Sequence, residues 1–259
     1  MQAGHGDELK MYWEPRLEPP PLEGNEVHVW RIALQPEIGL ADSLSDEERM
    51  HADRFFFSKD REAFKSSRNT LRILIGHYQD CRPETVEFYS GKYEKPALIG
   101  EGLQFNISHS HRVGLLAFSR GRDVGVDVEK IDPAVNSDQL ALHSFSYSEN
   151  QEYQGLRPEE KLSAFYRGWT RKEAFIKATG EGLSYPLDRF DVSLSEGDSA
   201  RLLRIEGSEE NARHWGMRDL ALTPEYAAAV VARGLDWKIR CFSHNLAESK
   251  RRTGKIDEN

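Results

Sequence analysis

Asp127 and Glu129 stand two residues apart in the run Val124-Gly-Val-Asp-Val-Glu129. In an extended strand, residues i and i+2 point the same way. Both carboxylates therefore share a face with Gly125, while Val124, Val126 and Val128 fill the other. Like charges that close repel unless a cation or a basic group lies between them. Hard divalent ions such as Mg2+ take oxygen ligands of this kind. A solvent-facing strand edge would show the same pattern. Gly125 adds a reason to expect a ligand, because a position without a side chain lets one approach the backbone.

Three further groups could serve such a site. In Arg171-Lys-Glu-Ala-Phe-Ile-Lys177, Glu173 and Lys177 are four apart and share a helix face, with Trp169 one turn earlier. They could supply a third carboxylate beside a phosphate-binding ammonium, or a routine surface ion pair. In Phe105-Asn-Ile-Ser-His-Ser110, Ser108 and His109 fall where a strand ends and could donate to an anion. No Gly-x-Ser-x-Gly elbow accompanies them, which argues against a nucleophilic serine. Between Arg54 and Arg72 lie six basic residues, Lys65 and Arg68 among them, against Asp60 and Glu62. That segment is positive within an acidic chain. Lys95-Pro96 adds a rigidly placed ammonium.

The elements that must position these residues follow from periodicity. Val27 to Leu34 alternates as a strand. Ser45 with Glu48 signals a helix start. A helix is predicted over 60–78, where Phe64, Leu71, Leu74, Ile75 and Tyr78 recur at helical spacing. Val86 to Tyr89, Leu103 to Ile107, Val113 to Phe118 and Val124 to Glu129 read as strands, with a turn at Gly121. A second helix is predicted over 159–179, closed by Gly180. Leu187 to Leu194 and Tyr226 to Val231 read as further strands. Offset by 101 residues, Ser45 falls on Ser146, Glu48 on Glu149, Ala63 on Ala164, Phe64 on Phe165 and Ile75 on Ile176. This faint repeat points to two similar halves. Residues 1–24 read as a loose leader, 25–122 and 123–245 as the halves, and 246–259 as a disordered tail.

Composition bounds the rest. The 259 residues carry 35 Lys+Arg against 43 Asp+Glu, a formal net charge of -8. That balance argues against a nucleic-acid-coating protein but not against a small anion in a local basic pocket. No stretch approaches a membrane span and no apolar signal segment opens the chain, so the expected address is cytoplasmic. The two cysteines, Cys81 and Cys241, are expected as free buried thiols. There is no Gly-x-x-x-x-Gly-Lys-Ser/Thr loop, no Gly-x-Gly-x-x-Gly and no zinc-like spacing.

Lys95-Pro96, Asn106-Ile-Ser-His-Ser110, Gly125-Val-Asp-Val-Glu129 and Phe165-x-x-x-Trp169-Thr-x-Lys-Glu173-Ala-x-x-Lys177 follow one another in that order. Together with Gly180-Glu-Gly-Leu183, this series resembles the Sfp-type 4′-phosphopantetheinyl transferases over roughly residues 27–235. The resemblance implies an α+β fold, a pseudo-dimer of two similar α+β halves with the active site in the cleft between them. It implies an enzyme that moves the 4′-phosphopantetheine arm of coenzyme A to a serine of an apo acyl or peptidyl carrier protein, releasing adenosine 3′,5′-bisphosphate. Asp127, Glu129 and Glu173 would then hold Mg2+ and Lys177 would bind the diphosphate. Glu173, or a water near it, would help deprotonate the serine. Ser108 and His109 would meet coenzyme A phosphates, and Lys95 its nucleotide end. Arg54, Lys65 and Arg68 are candidates for its 3′-phosphate. A monomer is implied. A different Mg2+-dependent transferase acting on another diphosphate, or a carrier-binding module without activity, would share parts of this pattern.

Overall fold

The computed structural model describes residues 11–34, 42–90, 95–99, 102–195 and 199–244. The first half contributes β1 (Trp13–Pro15), β2 (Glu26–Ala33), α1 (Asp46–Ala52), α2 (Ser58–Gln79), β3 (Phe88–Ser90), β4 (Pro96–Leu98), β5 (Leu103–Ser110) and β6 (Val113–Arg120). The second contributes β7 (Val124–Lys130), α3 (Ser137–Ser144), α4 (Tyr147–Gln154), α5 (Pro158–Thr179), β8 (Phe190–Val192), β9 (Leu202–Ile205), α6 (Glu209–Ala212), β10 (Trp215–Asp219), β11 (Tyr226–Arg233) and β12 (Lys238–His244).

Two sheets form the middle of the molecule. One runs β1-β12-β2-β6-β5 and the other β10-β11-β7. Val27 and Val29 of β2, Leu115 and Ala117 of β6, and the three valines of β7 pack together between the sheets, all fully buried. On the outer face of the larger sheet, Trp30, Leu116 and Phe118 meet Leu71, Leu74 and Ile75 of α2. On the outer face of the smaller sheet, Ala229 and Val231 meet Phe175 and Ile176 of α5. The layers thus run helix, sheet, sheet, helix, as apolar faces on strand and helix require.

The repeat expected from sequence reappears as matched mechanics. Ser45 and Ser146 each cap a short helix in a reciprocal capping box, with Glu48 and Glu149. Each of these glutamates then holds a base from the long helix of its half. Arg72 Nε lies 2.6 Å from Glu48, and Lys172 Nζ lies 2.7 Å from Glu149. Arg72 also donates to the carbonyls of Pro83 and Val86, and Lys172 to those of Leu187 and Phe190. Both long helices end on a left-handed residue, Asp80 at φ 53° and Gly180 at φ 73°.

Several expectations need correction. Trp13–Pro15 is not loose: it adds a parallel strand to β12, and Leu22 is buried. Strand β12, which falls late in the second half of the sequence, inserts between β1 and β2 of the first sheet. Such pairing is long-range and leaves no local signal. Leu187–Leu194 is a 3-10 turn at Leu187–Arg189 followed by the short β8, because Pro186 precedes it and two of its carbonyls turn inward to Lys172. Cys241 is buried, but Cys81 is exposed; both are free. The tail expected over 246–259 lies outside the described residues.

Gly125 also has a different reason to lack a side chain. A Cβ built there would stand 2.1 Å from the Ala174 carbonyl oxygen and 2.3 Å from the Ala178 nitrogen. Helix α5, not a ligand, presses on the strand at this point. Gly125→Ala must therefore lift α5 from β7. We expect it to destabilise the protein by about 2 kcal/mol or more, read as a lower urea midpoint. Unchanged stability would contradict the contact.

Candidate active site

The smaller sheet ends at β7 and the larger at β5, so two strand edges face each other where the halves meet. No backbone ladder joins them among the described residues. Side chains do it instead. Asn106 Oδ1 accepts from the Val126 N–H at 2.9 Å, Ser108 Oγ from Val128 at 3.4 Å and Ser110 Oγ from Lys130 at 3.0 Å. The alternation of polar residues along β5 thus answers the alternation along β7. Asn106 had no assigned role in the sequence reading; its clue is the two-residue spacing it shares with Ser108 and Ser110.

The same hydroxyls position the acids. Ser108 Oγ donates to Asp127 Oδ1 at 2.8 Å and Ser110 Oγ to Glu129 Oε2 at 3.0 Å. Trp169 of α5 lines the same cavity as Glu129. Lys177 Nζ lies 2.6 Å from Asp127 Oδ1 and 3.0 Å from Ser108 Oγ. Asp127 is 2% exposed and Glu173 8%. Ser108, Asp127, Glu129, Trp169, Glu173 and Lys177 line a cavity of about 510 Å³, walled across from them by Phe64, Ser67 and Arg68 of α2. The cleft lies between the halves, as expected.

Electrostatics in the cleft are unbalanced. Burial, and then the nearby charge of Asp127, push the Glu173 carboxyl up to about 7. The same two causes raise Glu129. Asp127 Oδ2 and Glu173 Oε1 are buried with no hydrogen-bond partner. Buried carboxylate oxygens left so are costly. Three carboxylates with one neighbouring ammonium leave negative charge to be met, and oxygen donors of this kind suit a hard divalent cation. Among the described residues, no three His, Cys, Asp or Glu side chains stand arranged as a metal cluster. The cation nearest Asp127 is Lys177.

The structure brings Asp127, Glu129, Glu173, Lys177, Ser108, His109 and Arg68 to this cavity. It does not bring Arg54, Lys65 or Lys95 there. Arg54 is exposed and Lys65 half-buried, both outside the cavity lining. Lys95 is spent on backbone: its ammonium donates to the carbonyls of Lys177 at 2.6 Å and Val124 at 3.2 Å. It fastens the end of α5 to β7, a favourable place for a cation at a helix C-terminus. Burial lowers it to about 8. Arg171 and Lys172 of the same motif are likewise structural. Arg171 is fully buried against Asp219 and Ser193, and Lys172 against Glu149.

Residues 123–231 match the family model described as the 4′-phosphopantetheinyl transferase superfamily. The 4′-phosphopantetheinyl transferase HetI of a Nostoc species is 34% identical over 238 residues, covering 89% of this chain and 97% of its own length. The 4′-phosphopantetheinyl transferase Sfp of Bacillus subtilis is 32% identical over 154 residues, covering 59% and 67%. A holo-[acyl-carrier-protein] synthase of Thermotoga maritima overlaps 43% of this chain and 62% of its own, at 18% identity and a TM-score of 0.32.

Glu173 gives the site a pH signature. Its folded value, about 7, lies above the ordinary 4.5. The folded state therefore binds the extra proton. Its contribution is fully present below pH 4.5 and is lost as pH rises through 7. Without divalent ions, denaturant titrations should show stability falling across this window by up to about 3 kcal/mol. Glu173→Gln should flatten that slope. An equal slope in the variant would contradict the assigned electrostatics.

Proposed function

We propose that this chain, which belongs to the 4′-phosphopantetheinyl transferase family, transfers the 4′-phosphopantetheine arm of coenzyme A to a serine of an apo carrier protein, acyl or peptidyl, with Mg2+. The observation that carries the reading is the cleft itself. Three carboxylates and an ammonium line it, and two of the carboxylate oxygens are buried and unpartnered.

The geometry supports the following roles. Asp127 and Glu173 offer the unpartnered oxygens and, with Glu129, are the residues that would hold the cation. Bound there, Mg2+ would neutralise diphosphate charge as the phosphorus–oxygen bond breaks. Lys177 lies within the same cavity and can pair with the diphosphate. Ser108 and His109 line it at the end of β5, in reach of phosphate oxygens. The carrier serine oxygen forms the new bond to phosphorus, and adenosine 3′,5′-bisphosphate leaves with the electron pair of the broken bond. The serine proton passes to Glu173, directly or through a water. A positioned carboxylate can take a proton from a hydroxyl as it attacks. Lys95 acts here by positioning Lys177, whose carbonyl it holds. We place the enzyme in the cytoplasm as a monomer, since one chain supplies both walls of the cleft. No helix among the described residues is long and apolar enough to cross a membrane.

An apo carrier incubated with the protein, coenzyme A and Mg2+ should gain the mass of the arm, seen by intact-protein mass spectrometry. Chelation of divalent ions should abolish the gain. Glu173→Ala should slow it by about a thousandfold with the fold retained. No gain on any of several apo carriers would sink the proposal, and full activity of Glu173→Ala would refute that residue's role.

A further inference from the structure

The Lys177 ammonium has two partners in the cleft. It lies 2.6 Å from Asp127 Oδ1 and 3.0 Å from Ser108 Oγ. Ser108 itself donates to the same Asp127 oxygen at 2.8 Å. One oxygen of Asp127 therefore meets two donors, while Oδ2 meets none. The Asp127 side chain is 2% exposed and that of Lys177 28%. The acid is shut away from water, and its partner opens onto the cavity. Among the described residues, Lys177 is the one base paired with any of the three acids.

The backbone of Lys177 is fixed. Its carbonyl accepts from Lys95 at 2.6 Å. The turn that follows closes through the Gly180 N–H on the Ile176 carbonyl at 3.1 Å. At Gly125 the backbone of α5 lies directly on β7. The helix is therefore held from sliding, and the ammonium can leave Asp127 only by rotation of its own side chain. A flexible four-carbon stem permits that swing while Cα stays in place.

A divalent cation and this ammonium are like charges that need the same carboxylate. Water screens them little, because Asp127 is buried. Each therefore disfavours the other there. Arg68 on the facing wall adds a further positive charge to the cavity. A diphosphate resolves the conflict. It offers anionic oxygens to the cation and to the ammonium alike, so Lys177 can leave Asp127 for a partner of equal strength.

We infer that Lys177 is a built-in competitor for the cation at Asp127, so that the protein takes up Mg2+ together with a diphosphate and not ahead of it. The inference rests on the reading of the cleft given above. It gives Lys177 two positions, one on Asp127 and one on the diphosphate, and makes cation affinity conditional on the second. By linkage, cation and coenzyme A then strengthen each other's binding by the same factor.

Calorimetry with Mn2+, which takes the same oxygen ligands as Mg2+, tests this with no carrier present, so no transfer occurs. The wild-type chain should bind Mn2+ at least about tenfold more tightly with saturating coenzyme A than without it. Lys177→Met keeps most of the stem and removes the charge. It should bind Mn2+ alone about tenfold more tightly than the wild type, and coenzyme A should strengthen that binding by correspondingly less. Lys130→Met controls for a general change of field, because it removes a charge three residues along β7 on the strand's other face. It should leave Mn2+ affinity within about twofold. A Lys177→Met variant that binds Mn2+ alone no more tightly than the wild type overturns the inference. So does equal tightening by Lys130→Met, and in either case the proposed function stands. A wild-type chain that binds no Mn2+ even with coenzyme A, or Mn2+ binding untouched by Asp127→Asn, overturns both.

Discussion

The site depends on a junction between two strand edges. β5 and β7 belong to different sheets, and each would leave a row of N–H groups without partners. Asn106, Ser108 and Ser110 satisfy three of those groups on β7 with side-chain oxygens. Because three successive alternate residues of β5 serve this purpose, the strand register between the halves is set to the residue. The serines then hold Asp127 and Glu129 by the same atoms. The contact that joins the halves is thus also the contact that aims the acids.

Helix α5 completes the arrangement from the other side. Gly125 lets its backbone lie directly on β7, so Glu173 and Lys177 arrive beside Asp127. Lys95 fastens the last turn of α5 to the same strand. The cleft that results is crowded with negative charge. Its raised carboxyls and unpartnered oxygens are a standing cost that a bound cation would relieve.

Much of this was legible in the chain. The alternation of Val124–Glu129 gave β7 its two faces, and the spacing of Glu173 and Lys177 put them together on α5. Ser45 and Ser146 marked helix starts through their capping glutamates. What the chain did not show is whatever depends on distant partners. Lys95 looks like a free ammonium until the two carbonyls from β7 and α5 close on it. Gly125 looks like an opening for a ligand until a helix 50 residues away occupies it. Strand β12 joins the first sheet from the far end of the described chain. Of the three candidate phosphate ligands Arg54, Lys65 and Arg68, charge density alone could not choose, and the fold brings Arg68 of α2 to the cleft.

The central claim is that Asp127 and Glu173, brought together by this junction, hold a divalent cation against a diphosphate. Its most direct test is anomalous diffraction from crystals grown with coenzyme A and Mn2+ in place of Mg2+. The account predicts a Mn2+ peak bonded to both carboxylates and to the diphosphate, with Lys177 turned from Asp127 toward phosphate. Bound coenzyme A with no Mn2+ at Asp127 and Glu173, or with Mn2+ elsewhere, would contradict it.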